Sequence, residues 1–186
     1  MNREKFPRGK RSVEEKRGEL RGEDLAGVWL AGADLKGADL QDANLKGADL
    51  KNAYLRNAIL EGADLRNEVM KGVDVSESYI KNAKMEGADL RNAILEGADL
   101  IDVDLKGAKL EGAELKDAKL VNADLRGADL KGADLTGANL SHANMQDTNL
   151  FRINLKGADL FRTNLKGVDL TGVDISNAFL DKWADN

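Results

Sequence analysis

The chain has 186 residues, no cysteine, 42% hydrophobic but only 4% aromatic residues, and a formal net charge of −5. The lack of thiols excludes disulfides and thiolate metal sites. So few aromatics leave material for a thin aliphatic core rather than a globular centre.

The first 17 residues, MNREKFPRGKRSVEEKR, hold seven Lys or Arg against three Glu, so the remainder carries 21 basic and 30 acidic residues. This start has no apolar leader segment, and no run approaches membrane-spanning length, so a cytoplasmic protein with no membrane association is expected. Ser12 and Glu15 have capping-box spacing ahead of Gly18, which predicts a short helix over 13–17. That helix would lay Val13 and Phe6 over the apolar opening of the repeat region, since a stacked repeat needs its ends covered.

From Leu20 to Leu180 an aliphatic residue stands on every fifth position, 33 in succession, of which 27 are Leu and the rest Met70, Val75, Ile80, Met85, Met145 and Ile175. A small residue, usually Ala, precedes each by two positions, and Asp or Asn usually stands between. A repeat this regular decides the architecture before any local propensity does. A helix would spiral the leucines around its surface, because five residues advance it by about 140°. A flat strand would send successive leucines to opposite faces. The chain must instead turn a corner in every repeat, with coils stacked so that each satisfies the backbone of the next. Two positions after the Leu, 17 of the 33 residues are Gly, 7 Asn and 4 Asp, types that accept positive φ or close an Asx-turn. The exceptions are Glu77, His142, Arg152, Arg162 and Lys182. The period does not say how many corners make a coil. The duplicate RNAILEGADL, at 56–65 and 91–100, recurs after 35 residues, a multiple of five only.

The pattern A-[D/N]-L-x-x resembles the pentapeptide-repeat family over residues 18–182. The resemblance implies an all-β fold, a right-handed four-sided parallel β-helix of about eight coils with a short N-terminal capping helix. The expected organisation is a basic tail with its helix over 1–17, a solenoid over 18–182 and a C-terminal remainder over 183–186. Phe179, Leu180 and Trp183 are the expected lid at the far end.

Little in the repeat points to catalysis. The one histidine, His142, sits at a corner, with neither a second His nor a Cys to complete a metal or nucleophile set. The repeat places an acid in most pentads, so neighbouring carboxylates need no catalytic reason, and the glycines are corners rather than a phosphate loop. We expect no enzyme, no cofactor, no metal and no direct nucleic-acid binding. Asp or Asn before each Leu and Lys or Arg after it read as a solvated, salt-linked surface.

With four pentads per coil, residues twenty apart share a wall. One wall then gathers Ile59, Tyr79, Ile101, Val121, Phe161 and Phe179 on its outside, a candidate contact stripe. The coil at 66–85 departs from the motif: Met70, Val75, Ile80 and Met85 replace Leu, and Glu68 and Ser78 stand where inward Ala is expected. An inward Glu68 would be costly, so either its side chain escapes outward or a bulge sits there. The function expected is a non-enzymatic scaffold or protein-interaction module, with a protein partner or a homodimer. An alternative, implied by the resemblance alone, is a DNA mimic that binds a type II topoisomerase, DNA gyrase. Members of that kind typically extend loops and carry a C-terminal dimerising segment, whereas this phase is unbroken.

Overall fold

A left-handed residue two positions past each Leu is what lets the chain turn every five residues. In the computed structural model, which describes residues 9–180, every corner from Gly22 to Asn177 has a positive φ, between 54° and 75°. Glu77, His142, Arg152 and Arg162 adopt it too, at 55°, 61°, 60° and 54°. Side chains with a Cβ occupy this region at roughly 1–2 kcal/mol each, so the stack imposes the corner where the residue does not favour it. Lys182 lies outside the described residues.

Parallel bridges join residues twenty apart, from Asp24↔Asn44 to Asp159↔Phe179. Four pentads therefore make one coil, which the period alone left open. Residues 21–180 form eight coils, about 40 Å at ordinary strand spacing.

The backbone bonds repeat with the coil. In the pentad at 105–109, Leu105 N donates to Asp124 O (2.8 Å), Gly107 N to Arg126 O (3.0 Å), Ala108 N to Leu105 O (3.0 Å) and Lys109 N to Ala88 O (2.9 Å). The fifth amide, Lys106 N, points at no carbonyl and donates to Asp104 Oδ1 (3.2 Å). Every Asp or Asn before a core residue from Asp24 to Asp174 takes the amide two positions on in this way. These residues were expected to serve solubility. They also complete the hydrogen bonding of the pentad, as Asx-turns do.

The Leu and Ala columns point inward and are buried from Leu20 to Leu160, with Leu110 and Leu125 at 0% and 1% exposure. At the N-terminal end, helix α1 spans Lys10–Glu15, earlier than the 13–17 expected. Its N-cap is Gly9, without a side-chain cap bond, and Ser12 lies buried within the helix. Val13 joins the core as expected; Phe6 lies outside the described residues. Two amides of the first coil find partners here: Asp34 N donates to Glu14 Oε1 (2.9 Å) and Asp39 N to Arg17 O (3.0 Å).

The last coil differs. Leu165, Val168, Val173 and Ala178 are only partly buried, and Leu170, Ile175 and Leu180 are exposed. Among the described residues nothing closes this end. Phe179 and Leu180 were expected there, but Phe179 stands out from the wall, 60% exposed, because its position is one of outward alternation. Trp183 lies outside the described residues.

Leu110→Ala should lower stability by about 2–5 kcal/mol through the cavity it leaves. Asp129 accepts from both Lys131 N (3.1 Å) and Asn149 Nδ2 (2.9 Å), so Asp129→Ala should cost about 1 kcal/mol while Asp129→Asn stays near wild type. Denaturant titration of the three variants checks both; equal stability of the Ala and Asn variants would return this position to a purely solvating role.

Candidate interaction surface

The twenty-residue register places the six stripe residues on one wall, in two neighbouring columns. One column carries Ile59, Tyr79 and Phe179, all exposed; the other carries Ile101, Val121 and Phe161, half-buried. They meet in pairs rather than as one strip. Ile59 and Tyr79 are bridge neighbours. The backbones of Ile101 and Val121 are held one coil apart by Asn82 N to Ile101 O (3.1 Å) and Asp102 N to Val121 O (3.0 Å). Phe161 and Phe179 have ring centroids 6.1 Å apart. His142 and Phe161 form a T-shaped ring pair with centroids 5.6 Å apart, and the Arg162 guanidinium lies 5.1 Å over the Phe161 ring. The sequence alone did not attach these two corner residues to the stripe. Their column, one step from Phe161, was the available signal.

Between the aromatic ends, Asp99 and Lys119 are bridge neighbours in the outer column. The other walls hold isolated apolar groups. Trp29, Val69 and Phe151 are exposed on one, and Tyr54 on another under the Lys36 ammonium at 5.3 Å. Phe151 lies between Lys131 and Arg152.

The expected interleaving of charges between coils is only part of the pattern. The tripeptide Asp-Leu-Arg forms a two-pronged pair within one pentad: Arg66 Nε and Nη2 reach Asp64 Oδ1 and Oδ2 at 2.8 and 2.6 Å, and Arg91–Asp89 and Arg126–Asp124 repeat it. These guanidiniums hold the three carboxyls below the usual carboxylate range. Pairs between coils also occur, as Arg56–Glu77 (2.9 Å) and Lys116–Asp134 (3.5 Å).

The irregular coil keeps the phase. Met70, Val75, Ile80 and Met85 are buried in the Leu column. Ser78 is buried as well, and its hydroxyl donates to Leu55 O one coil away (2.7 Å). Thr163 uses the same solution, donating to Leu140 O (2.8 Å). Glu68 overturns both expectations made for it: the side chain neither escapes nor forces a bulge, but points inward at 1% exposure. Its Oε1 takes the Gly47 amide, where a regular rung would run to the Arg66 carbonyl. Its Oε2 has no partner.

The profile of the family described as pentapeptide repeats matches residues 20–57, 48–87, 74–112, 113–152 and 148–182, in eight copies. The chain belongs to this family.

Solved pentapeptide-repeat structures resemble it over most of its length. HetL, a protein involved in heterocyst differentiation regulation in the cyanobacterium Nostoc sp. strain PCC 7120, is 34% identical, over 83% of this chain and 76% of that one, with a TM-score of 0.46. A trypsin-treated form of QnrB1, a plasmid-mediated fluoroquinolone resistance protein, is 22% identical over 90% and 86%, with a TM-score of 0.55. That likeness supports the shared quadrilateral β-helix and no more. Another Nostoc pentapeptide-repeat protein is 30% identical over 69% and 84%, with a TM-score of 0.36. No curated protein matches the sequence. No helix among the described residues is long and apolar enough to cross a membrane.

Within this pentapeptide-repeat column, burial pushes the Glu68 carboxyl up to about 8 from an ordinary 4.5; Asp64 and Asp49 add to the shift, and the amides of Gly47 and Ala48 oppose it. The folded chain thus holds this proton more tightly than the unfolded chain. The group's contribution is intact below pH 4.5 and is lost as pH rises through about 8, with a slope of up to about 1.4 kcal/mol per pH unit. Glu68→Ala restores the consensus residue and should raise the melting temperature at neutral pH and abolish that slope. Melting curves between pH 4 and 9 decide it; parallel pH profiles for the two chains would mean that Glu68 is solvated.

Proposed function

We propose that this protein is a non-enzymatic scaffold for protein–protein interaction, a right-handed rod whose flat walls present side chains at the coil spacing. The observation that carries this is the wall of Ile59, Tyr79, Ile101, Val121, Phe161 and Phe179. It keeps three large apolar side chains in solvent and three more half-exposed, all in register. Apolar groups gathered on one face of a rod, rather than scattered, mark a surface that another molecule covers. The rod itself supplies rigidity, so little ordering entropy is lost when the wall is covered. Replacing Tyr79, Ile101 and Phe161 together by Ser leaves the inward columns untouched and should abolish partner capture by immobilised protein from the source cell. Undiminished capture by a folded triple variant would remove the wall from the binding role.

A second reading has one observation behind it, the likeness in fold to the fluoroquinolone resistance protein. On that reading the rod occupies the DNA groove of a type II topoisomerase. Against it stand the paired Asp-Leu-Arg units, which neutralise part of the acidic surface that a DNA mimic would present. The scaffold reading predicts no inhibition of gyrase-catalysed DNA supercoiling and no protection from a quinolone at micromolar protein. Inhibition that weakens steeply with added salt, as charge competition requires, would reverse the ranking.

A further inference from the structure

We propose that the apolar wall is the interface of a homodimer, covered by a second copy of this chain lying antiparallel across a two-fold axis between the coils of Asp99 and Lys119. The proposal rests on the scaffold reading of this wall and names its occupant.

In the outer column the twenty-residue register stacks Asp39, Ile59, Tyr79, Asp99, Lys119, Asn139, Asp159 and Phe179 in order. The neighbouring column stacks Glu61, Lys81, Ile101, Val121, Ser141 and Phe161. Asp99 and Lys119 stand at the middle of the wall, and neither forms an ion pair with another described residue. A two-fold axis lying across the wall between their coils turns the partner end for end while each column faces its own copy. Asp99 then meets the partner's Lys119, and Lys119 the partner's Asp99. Ile101 and Val121 meet their opposite numbers in the same way. Tyr79 lies against the partner's Asn139, Ile59 against the partner's Asp159 and Glu61 against the partner's Phe161. No two like charges come face to face, and opposite charges set across an interface fix register as well as attraction.

The neighbouring registers fail on the same residues. A shift of one coil towards the N-terminus centres the axis on Asp99 and sets it against the partner's Asp99. A shift the other way sets Lys119 against the partner's Lys119. Three partial registers also match a charge: Glu61 with the partner's Lys81 opposes Asp39 to the partner's Asp99, Asp39 with the partner's Lys119 opposes Lys81 to the partner's Lys81, and Lys119 with the partner's Asp159 overlaps little more than half the wall. The axis between Asp99 and Lys119 overlaps its full length. Parallel rods would set Asp99 against the partner's Ile101 and Lys119 against the partner's Val121, so no opposite charges would meet across the interface. The available area suffices: one of four walls is roughly a quarter of the 9154 Å² surface, more than the roughly 800 Å² per partner of a standard interface.

The test is a charge-reversal cycle read by light scattering after size-exclusion chromatography, with circular dichroism to establish that each variant is folded. Wild type should elute at twice the 20.2 kDa chain mass. Asp99→Lys and Lys119→Asp should each be monomeric, because each sets like charges together twice. The double variant Asp99→Lys/Lys119→Asp should recover the dimer. With no native cysteine, chains carrying Ile101→Cys mixed with chains carrying Val121→Cys should form the mixed disulfide on oxidation. A monomeric wild type, or a dimer indifferent to either single reversal, overturns the proposal. If wild type is monomeric while the triple serine variant still loses its captured partner, the homodimer falls and the scaffold reading stands.

Discussion

One constraint governs the molecule: a five-residue repeat must satisfy five backbone amides and still return its Leu to the same axis. Neither regular helix nor regular strand does both. The left-handed corner makes the turn, and stacking at twenty residues provides rungs for three amides of each pentad. The fourth closes a turn on the Leu carbonyl. The fifth is left to a side chain, which is why Asp or Asn so often precedes Leu. Lys106 N on Asp104 Oδ1, 3.2 Å, is one case of a bond repeated along the rod. Backbone donors excluded from water cost more than side-chain entropy returns, so this position is structural before it is electrostatic.

The same constraint explains what the column tolerates. An inward hydroxyl is accepted because each Leu carbonyl keeps a lone pair beyond its turn bond, and Ser78 and Thr163 both use one. A carboxyl is a different matter. Glu68 fits only by taking the Gly47 amide away from its rung, and its second oxygen is left without a donor. The phase nevertheless survives, because coils above and below hold the corners at Asn67 and Gly72 in place. A solenoid bonded to both neighbours confines a local fault to one coil.

On the scaffold reading, recognition arises from the geometry of the wall. A wall built from stacked coils sets side chains in columns, so chemistry is written in one dimension at the coil spacing. The wall of Ile59 and Tyr79 at one end, Phe161 and Phe179 at the other, and Asp99 beside Lys119 in the middle is the most differentiated of the four. The two-pronged Arg pairs on Asp64, Asp89 and Asp124 show the opposite tendency, charge closed upon itself and withdrawn from partners.

Periodicity made the corner, the inward columns and the single continuous phase legible in the sequence. These depend on residues within one pentad: a left-handed position past the Leu, and a Leu–Ala pair pointing one way. The number of walls was not legible, because any number of corners keeps a period of five; bonds between residues twenty apart decided it. The composition of the stripe was derivable once four walls were assumed, but not its grouping into pairs, nor the seating of His142 and Arg162 on Phe161, which depend on ring orientation. The start of α1 at Lys10 escaped the capping-box pattern because its residues answer to the first coil: Val13 fills the column, and Glu14 takes the Asp34 amide. The placement of Glu68 escaped it for the same reason. The sequence marks a buried carboxyl correctly as a cost, but only the neighbouring coil determines that an amide of Gly47 stands ready to meet it.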